Sequence, residues 1–434
     1  VTNGATANSQ GWVPGIDDRR LHDPVSELAP RFIFMGTVER LLRDFHRGGP
    51  APILLAIEID HFWQRHVAMP LPEMLDLVRS VATFLKSHVP DPTALMRSNG
   101  GLFYACVTDE DAAERLGRAG DMKVTLGHQT LRISTTIGRA VATPEIVEPV
   151  LLTWAASVAL DQARQVRAGK RSYAYDDKLA ERLRRRHLIE QHIHSALEGR
   201  RVDLHVQPKV VLQSRTVIGC EALMRLKDAD GRIIPPDQVV EVAEQTGLIA
   251  DLDRLIVDQA LAICSLFREA GLPWSMAINV GPDLLRDTSF VHQLAQDVDH
   301  RAVPRDMVEI EIVEAAADLE IVGNRVGQLV DAGFKVALDD FGRDYSNLQR
   351  LTTLPVSSIK VDRSFTSRVV DERRIAAILR SVVAMTRELG LDLVVEGIET
   401  EAEHNLLETY GAAYGQGYLY GKAIPPIDAM ATHP

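Results

Sequence analysis

Residues Lys335-Val336-Ala337-Leu338-Asp339-Asp340-Phe341 form an apolar, strand-like run that ends in paired carboxylates. Six more runs of this kind lie in the second half of the chain, each ended or interrupted by a polar residue. They are Val217–Arg225 with Glu221, Trp274–Val280 with Asn279, Val308–Glu314 with Glu311, Ser357–Phe365 with Lys360, Asp392–Glu399 with Glu396, and Gly417–Gly421 after Gln416. Helix-like segments separate most of them. Alternation of strand and helix implies parallel strands, and about eight such units close into a barrel. The carboxyl ends of parallel strands open onto one mouth. Glu221, Asn279, Glu311, Asp339, Asp340, Lys360 and Glu396 are therefore expected to meet there. Five carboxylates in one low-dielectric mouth repel, so either their pKa values rise or a divalent cation sits among them. Oxygen ligands of this kind suit Mg²⁺ or Mn²⁺.

The chain of 434 residues suggests two domains, and its 46% hydrophobic content is ordinary for a globular core. A formal net charge of −12 speaks against nonspecific nucleic-acid binding. Cys106, Cys220 and Cys264 are scattered without paired spacing, which fits a reducing cytoplasm, the expected location. Cys220 follows the strand alternation to the face opposite Glu221 and reads as core. No apolar run reaches spanning length and no signal-peptide pattern opens the sequence, though tethering through a preceding segment stays open. The histidines show no ligand spacing; His192 and His194, two apart on a helix, diverge.

Residues 1–30, rich in Gly, Asn, Ser, Asp and Pro, are expected to be a flexible leader. Residues 31–176 carry a compact α/β pattern. Phe32–Arg47, Pro72–His88 and Val147–Arg167 read as helices, and Ile53–Ile59 and Leu131–Val141 as strands. Ala94–Arg97 and Leu102–Val107 form a hairpin around Asn99-Gly100-Gly101. Lys178–Leu197 is a charged helix, and its run Arg182–Arg186 reads as a solvated face. It leads into a second domain, residues 177–434.

Two resemblances sharpen this reading. Glu58-Ile59-Asp60-His61-Phe62-Trp63, Asn99-Gly100-Gly101-Leu102-Phe103 after Arg97, and Ala163-Arg164 with Arg167-Ala168-Gly169-Lys170-Arg171 resemble motifs of the GGDEF, or diguanylate cyclase, family. That resemblance implies a mostly antiparallel central sheet. The family's two acidic turn residues are Gly101 and Leu102 here, which cannot hold Mg²⁺ or polarise a hydroxyl. The implied remainder is a non-catalytic domain for nucleotide (GTP) sensing or dimer contacts, or a purely structural partner.

The second domain resembles the EAL family of cyclic-di-GMP phosphodiesterases over residues 182–428. The elements, in family order, are Gln207-Pro208-Lys209, Glu221-Ala222-Leu223-Met224-Arg225, Ile278-Asn279-Val280, Glu311-Ile312-Val313-Glu314, Asp339-Asp340-Phe341-Gly342, Lys360-Val361-Asp362, Glu396-Gly397-Ile398-Glu399 and Gln416-Gly417-Tyr418-Leu419. The resemblance implies a (β/α)8 TIM-like barrel that opens cyclic di-GMP to linear pGpG with two Mg²⁺ or Mn²⁺ ions. Glu221, Asn279, Glu311 and Asp339 would hold one ion; Asp340, with Asp339 bridging and Glu396 nearby, would hold the second. Lys360 would orient the attacking water, take its proton, or steady developing charge; among bare carboxylates it would be a poor base, a bias that two bound metals would reverse. Gln207 and Arg225 would bind the phosphodiester and sugar backbone, with Glu399 and Gln416 weaker candidates for substrate contacts. Glu314 is implied to stabilise the loop after the aspartates, and a homodimer through the barrel is expected. That loop, Gly342-Arg343-Asp344-Tyr345-Ser346-Asn347, departs from the family's usual Gly-Thr-Gly, and Gly281-Pro282-Asp283-Leu284 lacks the family's usual Gln. Besides a phosphodiesterase, a cyclic-di-GMP receptor without turnover and a scaffold are the competing readings.

Overall fold

The structure, a computed structural model, describes residues 22–117, 121–126, 129–165, 172–313, 320–342, 351 and 353–432. Two compact units divide between Arg184 and Arg185, inside the helix Asp177–Glu198. Among the described residues no helix is long and apolar enough to cross a membrane.

The first unit is built on β1 (Ile53–Ile59), β2 (Leu95–Arg97), β3 (Leu102–Val107), β4 (Asp121–Leu126), β5 (Gln129–Val141) and β6 (Ser172–Ala174). The sheet order is β2-β3-β1-β5-β4, and β6 pairs with β5. Every pairing is antiparallel except β5–β6. β1 is buried along nearly its whole length because both of its edges are paired and helices pack on it. The helices Arg31–His46, Leu71–Lys86 and Pro149–Gln165 place apolar residues at helical spacing on the sheet; Phe34, Val38 and Leu42 line one such stripe. Strand β4 and the helix Glu110–Gly117 have no counterpart in the sequence reading.

The leader expectation fails for residues 22–30. Leu28 is buried, Ala29 bridges to Met96, and Asp23 pairs with Arg97 at 3.2 Å. Apolar burial and this ion pair fasten the segment to the unit despite its polar composition.

The second unit is a closed barrel of β7 (Asp203–Val211), β8 (Val217–Arg225), β9 (Ser275–Asn279), β10 (Val308–Val313), β11 (Lys335–Phe341), β12 (Ser358–Val361), β13 (Asp392–Val395) and β14 (Tyr414–Gln416), with β14 closing on β7. Strands β8 to β14 run parallel, while β7 is antiparallel to both neighbours. The cause is local. Only a short turn joins β7 to β8, and a parallel pair would need a long crossover. Three strand bounds also change. Residues 417–421 turn, with the Tyr420 and Gly421 N–H groups donating to the Gly417 carbonyl at 3.1 and 3.2 Å, so the last strand lies earlier, at Tyr414–Gln416. β12 stops at Val361 because the Asp362 side chain accepts from the Ser364 N–H at 2.9 Å and caps the short helix Arg363–Thr366. β13 stops at Val395, so Glu396 and Glu399 stand on the loop beyond it.

Period-two alternation splits each barrel strand. One face, with Cys220, Met276, Ile278, Ile310, Ile312, Val336 and Ile359, is buried in a core shared with the surrounding helices. The other carries Glu221, Glu309, Glu311, Ser358 and Lys360 into the lumen. The Cys220 and Cys264 thiols are free and buried, as a packing role requires. Arg182, Arg184 and Arg185 are exposed, in keeping with a solvated face.

Candidate active site

One lysine organises the mouth of the barrel. Lys360 Nζ lies 2.7 Å from Glu396 Oε1, 2.9 Å from Glu311 Oε1, 3.3 Å from Glu221 Oε2 and 3.4 Å from Asp339 Oδ1. These carboxylates come from β8, β10, β11 and the loop after β13, four places far apart in the chain. Lys360 is 2% exposed, so its stem fills the lumen and its head has no water to turn to. The ammonium is held among the four chiefly by charge.

Hydrogen bonds extend this cluster. The Asn279 amide donates to Glu221 Oε1 at 2.8 Å, and the Gln416 amide donates to Glu221 Oε2 at 2.7 Å. Gln416 also donates to Gln207 Oε1 at 3.3 Å, and the Gln207 amide donates to the Gly421 carbonyl at 3.2 Å. The reversed strand β7 sets Gln207 directly across from Glu221 in the β7–β8 register. Gln416, a weak candidate in the sequence, thus touches the centre.

Asp339 and Asp340 occupy an irregular stretch. The register between β11 and β12 shifts between Leu338 and Phe341, and Asp340 takes a φ of 57°. A regular strand would send adjacent side chains to opposite faces; the bulge breaks that rule. A left-handed residue other than glycine costs of order 1 kcal/mol, and such strain clusters at functional sites. The Asp340 N–H donates to Asp339 Oδ1 at 2.9 Å.

One ammonium cannot neutralise four crowded carboxylates, of which Glu221 and Glu311 are buried and Asp339 and Glu396 largely so, and the acidities record this. Burial pushes the Glu311 carboxyl well above the usual range, and the charge of Glu221 adds to it. Burial lifts Glu396 to about 7 despite the opposing Lys360, and raises Asp339 as well. Glu221 goes the other way: burial opposes its charge, but Lys360 and the two donated amide hydrogen bonds outweigh it. Burial also works against the charge on Lys360, yet the surrounding carboxylates hold its pKa well above 10.5.

Other expected residues stand apart. Arg225, half-buried at the end of β8, donates to the Met224 carbonyl at 2.8 Å. Glu399 lies 3.7 Å from Arg363 at a rim position open to water. Glu314 and the departing residues Arg343 and Asp344 lie outside the described residues. Among the described residues, no three acidic side chains are spaced to hold one ion as they stand. The ligands expected to share an ion, Glu221, Glu311 and Asp339, gather on the Lys360 ammonium instead. The donor chemistry nevertheless suits Mg²⁺ or Mn²⁺. The ligands are all oxygen, the acidic charge exceeds the basic, and Glu311 Oε2 is buried without a hydrogen bond.

Sequence reasoning missed two features. Glu309 stands two residues before Glu311 on the same strand face, a visible signal, and is buried in the lumen. Asp253, on the apolar helix Ile249–Glu269, is 7% exposed and its Oδ2 accepts from the Gly281 N–H at 2.8 Å. A Cβ at position 281 would lie 2.9 Å from that oxygen, which is why glycine follows the Asn279 strand here. Burial raises the Asp253 pKa from 3.8 to about 7. The folded value lies above the unfolded one. Its contribution is therefore fully present below about pH 4 and lost as pH rises through about 7. Asp253→Asn keeps an oxygen acceptor for Gly281 and removes the titration. Stability between pH 4 and 8 is expected to fall less steeply in the variant, measured by urea unfolding across that range.

The EAL domain family model matches residues 190–423. The bifunctional diguanylate cyclase/cyclic di-GMP phosphodiesterase MucR of Pseudomonas aeruginosa is 28% identical over 95% of this chain and 61% of its own length. The cyclic di-GMP phosphodiesterase RocR of the same organism is 32% identical over 53% of this chain and 59% of its own. The solved PaMucR phosphodiesterase in complex with c-di-GMP superposes with a TM-score of 0.53 at 31% identity, covering 56% of this chain and 99% of that one. The chain spans about half the length of the curated relatives it matches.

Proposed function

The chain belongs to the EAL domain family, and from that premise we propose that it hydrolyses cyclic di-GMP to linear pGpG at the mouth of its barrel. The observation that carries the proposal is the convergence of Glu221, Glu311, Asp339 and Glu396 within 3.4 Å of Lys360 Nζ. Burying charge is costly without a functional return, so a lumen with this excess of acid is poor core and good catalyst. In the reaction one water adds to phosphorus, the P–O3′ bond breaks, and the 3′ oxygen leaves with a proton.

Glu221, Asn279, Glu311 and Asp339 would hold one Mg²⁺ or Mn²⁺, and Asp340 with Asp339 and Glu396 a second. Bound there, the pair would lower the pKa of a shared water and offset the phosphodiester charge. Lys360, set among these carboxylates, is placed to orient the attacking water or to steady developing negative charge. Gln207 and Arg225 flank the cluster along β7 and β8, and arginine's planar fork suits phosphate oxygens. Incubation with cyclic di-GMP and Mn²⁺ is expected to release pGpG, and EDTA is expected to stop it. Product followed by chromatography decides the matter. Tight binding without product would favour a receptor instead.

The first unit is proposed to be a non-catalytic, GGDEF-like regulatory domain. Its acidic groups are already engaged. Arg164 donates to both oxygens of Glu58 at 2.8 and 2.7 Å, and the Thr136 hydroxyl donates to Asp60 at 2.6 Å. A Cβ at Gly101 would meet the Phe62 ring at 2.7 Å, so an acidic residue could not be restored there without displacing it. A GTP titration that shifts the KM for cyclic di-GMP would support nucleotide sensing.

A homodimer is also proposed. The helix Arg373–Leu389 and the ends of β11 and β12 frame an apolar groove with Phe341, Val361, Phe365, Ile378, Val382 and Met385. Ile378 is 47% exposed. Ile378→Arg is expected to convert a dimer to a monomer in light scattering.

A further inference from the structure

We propose that Lys209, Glu309 and Ser358 form a positioning layer that sets the spacing of the mouth residues from below. The proposal rests on the phosphodiesterase reading of the mouth. Lys209 Nζ pairs with Glu309 Oε2, and the Ser358 hydroxyl donates to Glu309 Oε1 at 2.7 Å. All three side chains are buried.

Their strands matter more than their chemistry. In the barrel order β7, β10 and β12 are never neighbours, so no backbone ladder joins any two of them. The link runs across the lumen. Each member also stands two residues from a mouth residue on the same strand face: Lys209 from Gln207, Glu309 from Glu311, and Ser358 from Lys360. Two residues along a strand span roughly 7 Å. A shift in one member therefore passes directly to the residue above it.

Beneath this layer lies a cavity of mixed lining, with Val211, Ile218, Met307 and Val394 beside its polar groups. Bordered also by Ser275, Lys335, Asp392 and Tyr414, it reaches up to Lys209, Glu309 and Ser358, which roof it. Barrels of this type usually pack branched apolar side chains in layers. With that packing only partial, the three-membered polar link adds a direct tie across the lumen to the backbone ladders that close the barrel. An ion pair is a poor choice if stability alone is at stake, since apolar replacements of similar volume are often neutral or better. Fixed geometry is what the pair adds.

The decisive variant is Lys209→Met with Glu309→Met. It removes both charges together and leaves neither one unpaired. Melting temperature near that of the parent is expected, with kcat for cyclic di-GMP lowered roughly tenfold or more and KM little changed. Mn²⁺ affinity, measured by calorimetry on substrate-free protein, is expected to weaken in parallel. A folded double variant with parental kcat and Mn²⁺ affinity would overturn the proposal. Ser358→Ala covers the case in which the double variant does not fold. It deletes one hydroxyl and is expected to lower kcat several-fold at unchanged melting temperature, and parental kcat there would equally overturn the layer. If the parent protein itself neither binds Mn²⁺ nor releases pGpG, it is the reading of the mouth that fails. An active parent with indifferent variants sinks only the positioning role.

Discussion

Lys360→Ala is expected to lower cyclic-di-GMP turnover by roughly 100- to 1,000-fold, the range seen when a charge-stabilising donor is removed from an enclosed site. The same change should alter stability in a pH-dependent way. Glu221, Glu311, Asp339 and Glu396 share Lys360 as a common cation. Without it they face one another in a buried lumen, and leaving buried charge uncompensated costs about 3–5 kcal/mol. Glu311, Asp339 and Glu396 would then carry folded pKa values further above their unfolded ones, and Glu221 would lose the cation that holds its own value down. Stability from such groups is present at low pH and lost as pH rises through the folded value. The variant should thus lie closest to the parent near pH 5 and furthest below it near pH 8. Lys360 itself adds no slope in that window, because its pKa is raised and it stays protonated throughout. Thermal melts of metal-free protein at both pH values test this. Equal losses at pH 5 and pH 8 would refute the shared-cation account.

Glu221→Ala should be comparably damaging, for a different reason. Glu221 accepts from Asn279 through one oxygen and from Gln416 through the other, and lies 3.3 Å from Lys360. It thereby joins β8 to β9, β12 and β14. Truncation removes a proposed metal ligand and takes away the acceptor of the half-buried Asn279 amide and one of the two acceptors of the buried Gln416 amide; a buried donor left unpaired costs about 1–3 kcal/mol. Turnover is expected to fall roughly 1,000-fold, with Mn²⁺ affinity reduced alongside it. Glu221→Gln is no gentler. Its oxygen can accept from one neighbour, but its NH₂ must then face the NH₂ of the other, donor against donor. Parallel measurement of both variants tests this account: a glutamine variant much milder than the alanine one would refute the donor-against-donor clash.

The sequence went a long way toward this site because its signals were local. Val308 to Val313 alternates apolar and acidic residues, so Glu311 had to face away from Ile310 and Ile312. Lys335 to Phe341 ended in two carboxylates that no core would accept, and Lys360 interrupted an apolar run in the same way. Period-two alternation and the cost of buried charge are properties of short segments, and both can be read without coordinates. The family order of the motifs tied those segments to one barrel.

Other features depended on which strands came to lie opposite each other. The reversal of β7 followed from a short turn, and it put Gln207 beside Glu221. Gln416 proved central because the last strand sits three residues earlier than its apolar run suggested. The gathering of four carboxylates on an ammonium, and the cross-lumen link of Lys209, Glu309 and Ser358, are relations between residues of different strands and loops, far apart along the chain. Composition, alternation and motif order by themselves determined a barrel with an acidic mouth, because backbone sterics and desolvation act residue by residue. Which acid meets which base was decided by closure of the barrel alone, because Coulomb and hydrogen-bond energies depend on distances that exist only once the strands have closed on one another.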